Sequence, residues 1–470
     1  MINNFFLSKV KENFPFEPTP EQDAVLSAIV DFMFQKDQDM VFLLKGYAGT
    51  GKSSLLGALV KTMTAFKQKT VLLAPTGRAA KVFSAYSNHP AFTIHKKIYR
   101  QKRFSDDVGH FSIIDNLHTD TLFVVDESSM ISNDGIDSSV FGTGRLLDDL
   151  IHYVYSGDNC RLLLIGDTAQ LPPVGQEESP ALQEQILEGF GLKVIARTMT
   201  QIVRQAFDSG ILFNATNLRK ALSENATEAY PKLKLSDFGD VKKITGEDLI
   251  EEISQAYDRD GIENTIIISR SNKRSNVYNQ GVRNRILWRE EELSSGDLLM
   301  ITKNNYFWTE KIEGIDFLAN GEILEVLRIR RTEELYGFRF CDVLVRSIDY
   351  DIELEVKILM EALQSDTAGL SRERSQELFY NILEDYSSIS AKAGKMKKMK
   401  ADPFFNALQV KFAYAITCHK AQGGEWKNVF LDLGYISEEY MGVNFYRWLY
   451  TAITRASDKL YFVNLPDSFL

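Results

Sequence analysis

A glycine-rich segment between a strand-like run and a helical pattern limits the chain to one kind of fold. Residues 46–53 read GYAGTGKS, which fits the pattern GxxxxGK[ST] of a phosphate-binding loop. An apolar run at 39–46 predicts a buried strand before it, and Ser53–Phe66 predicts a helix after it. Glycines let backbone amides fold around phosphate oxygens, and the helix N-terminus adds positive potential. The predicted nucleotide contacts in the loop are Gly46, Ala48, Gly49, Thr50, Gly51, Lys52 and Ser53.

Side chains in and near this loop have chemistry that suits a nucleoside triphosphate. The Lys52 ammonium is predicted to reach the β- and γ-phosphates, and the Ser53 hydroxyl is predicted to ligate Mg²⁺. A second strand-like run, 121–125, ends in Asp126 and Glu127. Asp126 is expected to bind the ion through water, and Glu127 to orient and deprotonate the attacking water. An apolar strand that ends in Asp-Glu is also common at ordinary turns. The interpretation as a metal site therefore depends on the phosphate loop upstream.

Short apolar runs alternate with helix-length patterns up to about residue 290 and again near the carboxyl end. The runs that predict buried strands lie at 39–46, 70–76, 121–127, 161–167, 265–270, 428–434 and 459–465. Helical patterns lie at Ser53–Phe66, Gly77–Tyr86 and Phe445–Ala456. Strands that alternate with helices predict an α/β fold with parallel sheets.

The region between has a different pattern. Residues 291–350 predict short strands with turns, which is the composition of a small β-barrel, and residues 360–400 predict helices. The predicted organisation is a first α/β domain at 1–197 with a hairpin insert at about 96–120, a second α/β domain formed by 198–290 and 409–470, and an insert at 291–408.

Charge and cysteine usage restrict the class of protein. The 470 residues include 54 Lys and Arg against 64 Asp and Glu, which gives a net charge of −10. This excludes a simple basic coat for nucleic acid, so a nucleic-acid site would have to concentrate positive charge in a groove. Three cysteines without paired spacing favour a reducing compartment, and no apolar run approaches a membrane span. A cytoplasmic enzyme without membrane contact is expected.

Four further segments carry a resemblance to a known family. They are LLAPTGRAAK (72–81), GDTAQLPPVG (166–175), YAITCHKAQGGEW (414–426) and YTAITRA (450–456). With the phosphate loop, they fall in the order of superfamily 1 helicases of the RecD/Dda type, which the chain resembles from about Gln22 to Arg455. The resemblance implies two RecA-like domains, ATP and Mg²⁺ as cofactors, and ATP-driven 5′-to-3′ movement on single-stranded DNA with unwinding of duplex. The polarity is implied by the Leu-Pro-Pro that follows Gln170, and residue chemistry does not show it.

The resemblance also assigns roles around the nucleotide. Gln22, in TPEQDAV, would read the adenine edge, and Glu425 would contact the ribose. Gln170 would sense the γ-phosphate and couple it to DNA. Arg204, in QIVRQAF, and Arg455 would reach the γ-phosphate from the second domain. The implied ATP site is therefore a cleft between two domains that closes on ATP.

The resemblance places a DNA track on strand ends of both domains. Pro75 and Thr76 follow a predicted strand, where backbone amides and the hydroxyl can hold phosphate. His95, in TIHKKIY, and Thr417 with His419, in TCHKAQG, match elements of the family. On chemistry alone, each histidine could instead pack or cap. Two polar clusters, one in each domain, would grip the backbone alternately in an inchworm step.

Strand separation needs a wedge, and the segment 101–115 predicts a hairpin with its turn at Asp106–Gly109. The resemblance places a pin there. An aromatic side chain at the tip can stack on the last base pair, and stacking is worth about 1–3 kcal/mol. Phe111 is the candidate, with His110 beside it. The alternative is that Phe111 packs under its own hairpin.

The insert at 291–408 resembles the small SH3-like barrel of this helicase branch, with an added helical tower. Its aromatic residues Tyr306, Phe307 and Trp308 either face DNA or fill the barrel. A basic run near the end of the helical part is most often a solvated face, and otherwise touches DNA or a partner protein. Its lysines are Lys392, Lys395, Lys397, Lys398 and Lys400.

Two other functions stay open at the level of the sequence. A single-strand-stimulated P-loop ATPase that remodels nucleoprotein without processive unwinding would keep the ATP residues but need no pin. A binding module with a degenerate ATP site is disfavoured by the complete set of ATP residues. For a helicase, the expected partners are single-stranded and forked DNA and replication or repair proteins, and the chain is expected to be monomeric.

Overall fold

The computed structural model describes residues 2–101, 111–135, 141–203, 208–310, 312, 317–348, 350–367 and 369–470. For Gln101, Lys392 and Ala393 it describes the backbone. The predicted hairpin turn at Asp106–Gly109 and the candidates His110 and Arg204 lie outside the described residues.

Strands and helices alternate along the described part of the chain. The strands are β1 (Met40–Gly46), β2 (Lys69–Ala74), β3 (Ala91–Thr93), β4 (Tyr99–Gln101), β5 (Phe111–Ile113), β6 (Thr121–Val125), β7 (Arg161–Gly166), β8 (Lys193–Met199), β9 (Val241–Ile244), β10 (Thr265–Ser269), β11 (Leu298–Ile301), β12 (Ile323–Leu335), β13 (Phe338–Ser347), β14 (Ile352–Leu359), β15 (Val410–Phe412), β16 (Ala415–Thr417), β17 (Trp426–Asp432) and β18 (Ala456–Val463). The helices are α1 (Ile2–Glu12), α2 (Pro20–Phe34), α3 (Lys52–Ala65), α4 (Gly77–Ser87), α5 (Ile94–Ile98), α6 (Leu146–Tyr155), α7 (Glu184–Gly189), α8 (Gly210–Ser223), α9 (Leu249–Asp260), α10 (Asn272–Arg285), α11 (Met360–Gln364), α12 (Arg372–Asp385), α13 (Lys392–Lys400), α14 (Cys418–Ala421) and α15 (Val443–Ile453).

The first sheet has six parallel strands in the order β3-β2-β6-β7-β1-β8. The strand β1, which leads into the phosphate loop, lies between β7 and β8. Val41 and Leu43 pack into one core, and Phe42 and Leu44 pack into another on the opposite face. Because both faces of this strand are buried, the segment reads as a continuous apolar run rather than as an alternating pattern.

The second sheet has five parallel strands in the order β16-β10-β17-β18-β9. The chain leaves this sheet after β10 and returns to it at β16, so the sheet is built from two separate stretches of sequence. The prediction of an α/β fold with two parallel sheets is confirmed.

The insert between these stretches folds into a third, antiparallel sheet in the order β14-β13-β12-β11-β15. The sheet closes on itself, because the Leu359 amide donates to the Leu408 carbonyl at 3.0 Å and the Leu408 amide donates to the Lys357 carbonyl at 2.7 Å. A closed sheet of five strands leaves only a narrow, side-chain-filled interior. That the barrel is of the SH3-like class stays a prediction.

Two strands cross the predicted domain boundaries. The strand β8 extends to Met199 in the first sheet, past the boundary expected at 197. The strand β15 pairs with β11 of the barrel, past the boundary expected at 408. The local sequence of each strand does not indicate which strand it pairs with. The pattern therefore predicts the domain boundary near each of them imprecisely.

The helices α12 and α13, with the residues around them at 369–407, form the tower. The tower packs on one end of the barrel through a shared apolar core. The members of that core are Phe338, Phe340, Leu359, Leu378, Ile382, Met399 and Ala407. Hydrogen bonds add to it, since the Tyr386 hydroxyl donates to Asp402 at 2.7 Å and the Asn381 amide donates to the Tyr336 carbonyl at 3.0 Å. The tower is therefore attached firmly to the barrel.

No helix in the described ranges is long and apolar enough to cross a lipid bilayer. The three cysteines, Cys160, Cys341 and Cys418, are buried as free thiols.

Candidate nucleotide cleft and adjoining channel

The phosphate loop joins β1 to α3, as the sequence predicts. Gly49 and Gly51 have φ angles of +76° and +84°, a backbone region that side chains strongly disfavour, so glycine is needed at both positions. The Lys52 ammonium lies in the loop and donates to the carbonyls of Gly46 at 2.6 Å and Tyr47 at 2.9 Å. The first amides of α3 thus face the interior of a loop that carries a fixed positive charge.

Gln22 lies against the same loop, held by the start of α2. Its side-chain oxygen accepts from the Thr19 amide at 2.9 Å in a capping box, and its side-chain nitrogen donates to the Thr50 carbonyl at 2.9 Å. The side chain is 2% exposed. The residue predicted to read adenine is therefore positioned by two backbone contacts beside the loop.

Asp126 and Glu127 follow β6 and lie near Lys52. One carboxylate oxygen of Asp126 accepts from the Tyr86 hydroxyl at 2.6 Å, and the other accepts from the Glu127 amide at 2.9 Å. Burial and the charge of Glu127 raise the pKa of Asp126, while these hydrogen bonds and the Lys52 ammonium oppose the rise. The arrangement gathers two carboxylates and one cation beyond the carboxyl ends of β6 and β1, which flank β7 in the same parallel sheet, and parallel sheets bind ligands at this edge.

A fully buried tyrosine connects the phosphate loop to the second domain. The Tyr450 hydroxyl, from α15, accepts from the Ala48 amide of the loop at 2.9 Å and donates to Asp167 at 2.7 Å. Asp167 follows β7 of the first sheet. Burial raises the pKa of Asp167, and the charge of Lys52 opposes part of this rise. One hydroxyl of the second domain therefore contacts two elements of the first.

Arg455 reaches the cleft from the same side as Tyr450. Its guanidinium lies 3.8 Å from the Glu127 carboxylate and donates to the carbonyls of Thr451 at 3.1 Å and Gly424 at 3.2 Å. The side chain is 5% exposed. The structure thus brings together, across one cleft, a predicted catalytic carboxylate and a predicted arginine.

Gln170 lies in this cleft with an unused hydrogen-bonding atom. Its side-chain oxygen is buried and has no partner among the described residues, and the same holds for the Ser129 hydroxyl. A buried polar atom without a partner costs about 1–3 kcal/mol, which points to a ligand or water that supplies the missing bond. The Gln170 oxygen, three residues after Asp167, therefore fits a site that binds polar groups.

The donor set also fits Mg²⁺ carried in with a nucleotide. Within the described ranges, no group of three or more His, Cys, Asp or Glu side chains is arranged to hold a metal. Mg²⁺ in proteins is usually bound by one or two protein groups together with substrate phosphates. Ser53, at the start of α3, and Asp126 are the residues of this chain suited to that task.

Glu425 is the remaining nucleotide candidate, and it follows Gly424, whose carbonyl accepts from Arg455. Glu425 is exposed on the loop before β17. Its neighbour Trp426 is buried and its ring lies 4.4 Å from the Arg78 guanidinium of α4, so this loop contacts the first domain next to Glu425. The contact of Glu425 with ribose stays a prediction.

A cavity of about 970 Å³ adjoins the first sheet, outside the nucleotide cleft. Its walls come from the first domain, the barrel and the tower. The first domain contributes Pro75, Thr76, Gly77, Thr93 and His95; the barrel side contributes Thr302, Lys303, Asn304, Asn305, Tyr306, Phe307, Glu310, Phe317, Ala319 and Asn320; and the tower and the start of β15 contribute Leu370, Ser375, Leu378, Phe379, Lys397, Lys400, Ala401, Phe405, Asn406, Ala407 and Gln409. We call this cavity the channel.

Three predicted DNA residues of the first domain line the channel: Pro75, Thr76 and His95. The Thr76 hydroxyl oxygen caps α4 by accepting from the Ala79 amide at 3.2 Å, and its own hydrogen can still be donated. Burial lowers the pKa of His95 to about 4, and the charge of Asp149 opposes only part of this. His95 is therefore neutral at pH 7 and can offer a hydrogen bond but no charge.

Thr417 and His419 are not among the residues that line the channel. Thr417 precedes α14 at the carboxyl end of β16, and His419 is exposed on that helix. Burial by its neighbours and the charge of Lys420 lower the pKa of His419. Their contact with DNA stays a prediction.

The prediction that Phe111 is an exposed aromatic residue at the tip of the pin is wrong. The strands β4 and β5 form the expected antiparallel pair, but Phe111 lies opposite Gln101 and is 4% exposed. Its ring lies 4.4 Å from that of Tyr306 and 5.0 Å from that of Phe141, with Phe317 at 6.4 Å. Burial of these rings against the barrel stabilises the base of the hairpin, which fits the alternative reading of Phe111.

The three aromatic residues of the barrel, Tyr306, Phe307 and Trp308, have different surroundings, and whether any of them faces DNA stays a prediction. Tyr306 packs on Phe111 and also lines the channel, and Phe307 lines it beside Tyr306. The Trp308 indole N–H donates to the Asn406 carbonyl at 2.8 Å and connects the barrel to the tower. Position in sequence does not predict these different surroundings, because the three residues are consecutive.

Sequence reasoning missed three polar residues of the cleft: Tyr86, Asp167 and Tyr450. Asp167 and Tyr450 lie inside the motif segments GDTAQLPPVG and YTAITRA, so a polar side chain in those segments was an available signal. Tyr86 ends a helical pattern with no feature that marks it. Its role depends on the packing of α4 on β2, the neighbour of β6 in the sheet, which brings the Tyr86 hydroxyl to Asp126.

Family models match two parts of the chain. Residues 18–234 match the AAA domain, and residues 412–463 match the UvrD-like helicase C-terminal domain. These are the two stretches that build the faces of the nucleotide cleft.

Known proteins are similar over most of the chain. An uncharacterised protein of Acanthamoeba polyphaga mimivirus, R530, is 23% identical, with 94% of this chain and 99% of that protein covered. The ATP-dependent RecD2 DNA helicase of Deinococcus radiodurans is 24% identical, with 89% of this chain covered but only 46% of the relative. A solved structure of Pif1 helicase from Bacteroides, in complex with ADP-AlF3 and ssDNA, is 14% identical with a TM-score of 0.48 and covers 97% of this chain and 94% of that one.

The fold and the cleft define a class: a P-loop protein of two parallel-sheet domains with the nucleotide site between them. The matches to the two family models and the similarity to RecD2, which is named an ATP-dependent DNA helicase, support the resemblance of this chain to the superfamily 1 helicases of the RecD type.

Proposed function

We propose that the protein is an ATP-driven motor that moves 5′-to-3′ along single-stranded DNA and unwinds duplex. The observation that carries this proposal is the contact of Arg455, in the second domain, with Glu127, in the first, at 3.8 Å. A cleft whose two faces both contribute to hydrolysis couples each turnover to a relative movement of the domains.

The residues of the cleft have complementary tasks in ATP hydrolysis. The loop amides and the Lys52 ammonium bind and orient the phosphates. Glu127 accepts a proton from the attacking water. Arg455 stabilises the negative charge that develops on the γ-phosphate, an effect of about 10³–10⁵ in rate in related enzymes. Ser53 and Asp126 would hold Mg²⁺, which would supply neutralisation of the phosphate charge.

Domain movement follows from the contacts that depend on the γ-phosphate. With ATP bound, Arg455 has an anionic partner across the cleft, and after hydrolysis it loses that partner. Tyr450 and Thr451 of α15 bond Asp167 and the Leu171 amide, on the segment that also carries Gln170. A change at the γ-phosphate can therefore be transmitted through α15 to the second domain.

The track for the strand is proposed to include the channel, where Thr76 and His95 lie at strand ends of the first domain. Polarity rests on the family resemblance, and the RecD2 relative, which is named an ATP-dependent DNA helicase, supports the choice of DNA. The cytoplasm is the proposed location. A remodelling ATPase without processive unwinding is the second candidate, because Phe111 does not reach the hairpin tip.

The decisive experiment compares two partial duplexes, one with a 5′ single-stranded tail and one with a 3′ tail, in the presence of ATP and Mg²⁺. We expect unwinding of the 5′-tailed substrate only. Activity confined to the 3′-tailed substrate would overturn the polarity, and ATP turnover without unwinding of either would favour the remodeller.

A Lys52→Ala variant serves as the control for the nucleotide site. We expect it to lose ATP turnover by a factor of about 10²–10³ or more, because a preorganised charge on the transferred phosphate is removed. Normal turnover in this variant would show that the phosphate loop is not the catalytic site.

A further inference from the structure

The proposed function assigns no role to the tower. We propose that the tower forms the outer wall of the channel, and that Lys397 and Lys400 hold phosphates of the single strand bound there. This inference rests on the proposed function, and it adds a binding surface that is separate from the strand ends of the two α/β domains.

Both tower helices present one face to the channel. On α12 this face consists of Ser375, Leu378 and Phe379, and on α13 of Lys397 and Lys400, followed by Ala401 just after the helix ends. Residues spaced by three and four positions lie on the same side of a helix, so each helix contributes a continuous stripe rather than a single contact. The opposite wall carries Thr76 and His95 of the first domain.

The tower is a fixed wall because its helices share a core with the barrel. Ile382 of α12 and Met399 of α13 are fully buried in that core. Met399 is next to Lys400 in sequence and two residues from Lys397, so burying it sets the side of α13 that the lysines occupy. Their position therefore follows from packing and does not require a ligand to order it.

The charge of the channel is opposite to that of the whole chain. Its described lining residues include Lys303, Lys397 and Lys400 against Glu310, a formal balance of 3 − 1 = +2. The complete chain has a net charge of −10. A local positive channel within an acidic protein attracts a polyanion to one path, and His95 adds no charge there at neutral pH.

The lining chemistry favours an extended nucleic acid over a compact ligand. The volume of about 970 Å³ lies at the upper end of the range for small-molecule pockets, and the walls come from three separate units. The aromatic rings of Phe307, Phe379 and Phe405 lie on the walls with the lysines. Lysine for phosphates and aromatic faces for bases is the combination that binds single strands without sequence preference.

The same helix supplies a matched control for the lysines. Lys395 and Lys398 have the same spacing as Lys397 and Lys400, and each pair has one exposed and one half-buried member, but only the second pair lines the channel. The test is therefore K397A/K400A against K395A/K398A. Binding of a fluorescent oligo(dT) is measured by anisotropy from about 50 to 300 mM salt.

We expect K397A/K400A to weaken oligo(dT) binding about tenfold at 100 mM salt and to reduce the slope of log K against log[salt] by about 1.4, since each phosphate contact on a single strand contributes about 0.7. K395A/K398A should match the wild type. Equal effects of the two pairs would overturn the inference. Absence of oligo(dT) binding by the wild type would instead refute the proposed function, so the two failures are distinguishable.

A second measurement does not depend on affinity. The native cysteines are buried, so a cysteine introduced at an exposed position is the reactive thiol of the chain. Ser375 faces the channel, whereas its exposed neighbour Gln376 does not. Bound oligo(dT) should slow maleimide labelling of Ser375→Cys and leave labelling of Gln376→Cys unchanged. Equal labelling rates at Ser375→Cys with and without oligo(dT) would overturn the inference.

Discussion

The nucleotide cleft and the channel are both polar sites between folded units, but the chain builds them in opposite ways. In the cleft, buried groups bond each other across the domains, as Tyr450 bonds Asp167 at 2.7 Å. In the channel, Lys397 is exposed and Lys400 half-buried at the surface of a fixed wall. The cleft comes from a few compact motif segments, whereas the channel gathers residues from 75 to 409.

This difference predicts two kinds of mutational response. When a partner is removed from a buried bond, the remaining group loses its bond without gaining water, so single substitutions in the cleft should have large effects. Groups in the channel keep contact with solvent, so their effects should be graded and should depend on salt. Substitutions test this contrast between the cleft and the channel, and those with the largest expected effect lie in the cleft.

The largest effect is expected at Arg455. In Arg455→Ala, DNA-stimulated ATP turnover should fall by about 10³–10⁵, because the charge that reaches the γ-phosphate from the second domain is lost. Binding of a fluorescent ATP analogue should change far less, since the loop and Lys52 are intact. Steady-state hydrolysis and nucleotide titration measure the two quantities.

Arg455→Lys separates charge from geometry. A lysine keeps the charge but cannot reproduce the planar fork that donates to Thr451 and Gly424 while lying near Glu127. We expect only a small recovery of turnover. If Arg455→Ala retains turnover within tenfold of the wild type, the cleft does not need both domains for hydrolysis and the contrast with the channel fails.

Phe111 tests whether an aromatic residue near the channel acts on DNA or on the fold. Phe111→Ala should destabilise the first domain by about 3–5 kcal/mol, because a buried ring packed on Tyr306 and Phe141 is replaced by a cavity. The midpoint of thermal unfolding and hydrogen exchange of β4 and β5 measure this. Phe111→Leu fills most of the space and should keep unwinding activity. Loss of unwinding in Phe111→Leu with unchanged stability would restore the residue as a DNA contact.

The outcome for Phe111 shows where sequence reasoning ends. The hairpin is local, so the pairing of β4 with β5 can be predicted from the segment itself. Whether Phe111 lies at the tip or at the base depends on the register, which sets it opposite Gln101. Whether it is buried depends on Tyr306 and Phe317 of the barrel, about two hundred positions away in the chain.

The same argument separates the cleft from the channel. Lys52, Asp126 and Glu127 could be assigned from sequence because backbone geometry at a loop or strand end fixes what each residue can reach. Lys397 and Lys398 are neighbours with identical chemistry, and only the packing of Met399 against the barrel decides which of them faces the channel. A lysine-rich segment alone therefore predicts a basic helix face but not the direction of that face.

A smaller effect is expected at Tyr450. Tyr450→Phe keeps the ring but removes the hydroxyl that bonds the Ala48 amide and Asp167. Leaving buried groups without a partner costs about 1–3 kcal/mol, so the affinity for ATP should change by about tenfold, with hydrolysis of bound ATP less affected. Nucleotide titration and single-turnover hydrolysis measure these. An unchanged affinity would mean that the contact is not coupled to nucleotide binding.

The last prediction concerns stability rather than activity, and it involves a buried charge in the barrel, outside the cleft. Lys411 is 5% exposed and donates to the carbonyls of Ala362 and Ser365, and burial lowers its pKa to about 8. The unfolded chain, with a pKa near 10.4 for this group, binds more protons above pH 7, so the free energy of unfolding should rise by about 2 kcal/mol from pH 7 to 9.5. Urea unfolding of Lys411→Met should lack this rise, whereas the exposed control Lys398→Met should keep it. If Lys411→Met shows the same rise as the wild type, Lys411 is not the source of this pH dependence.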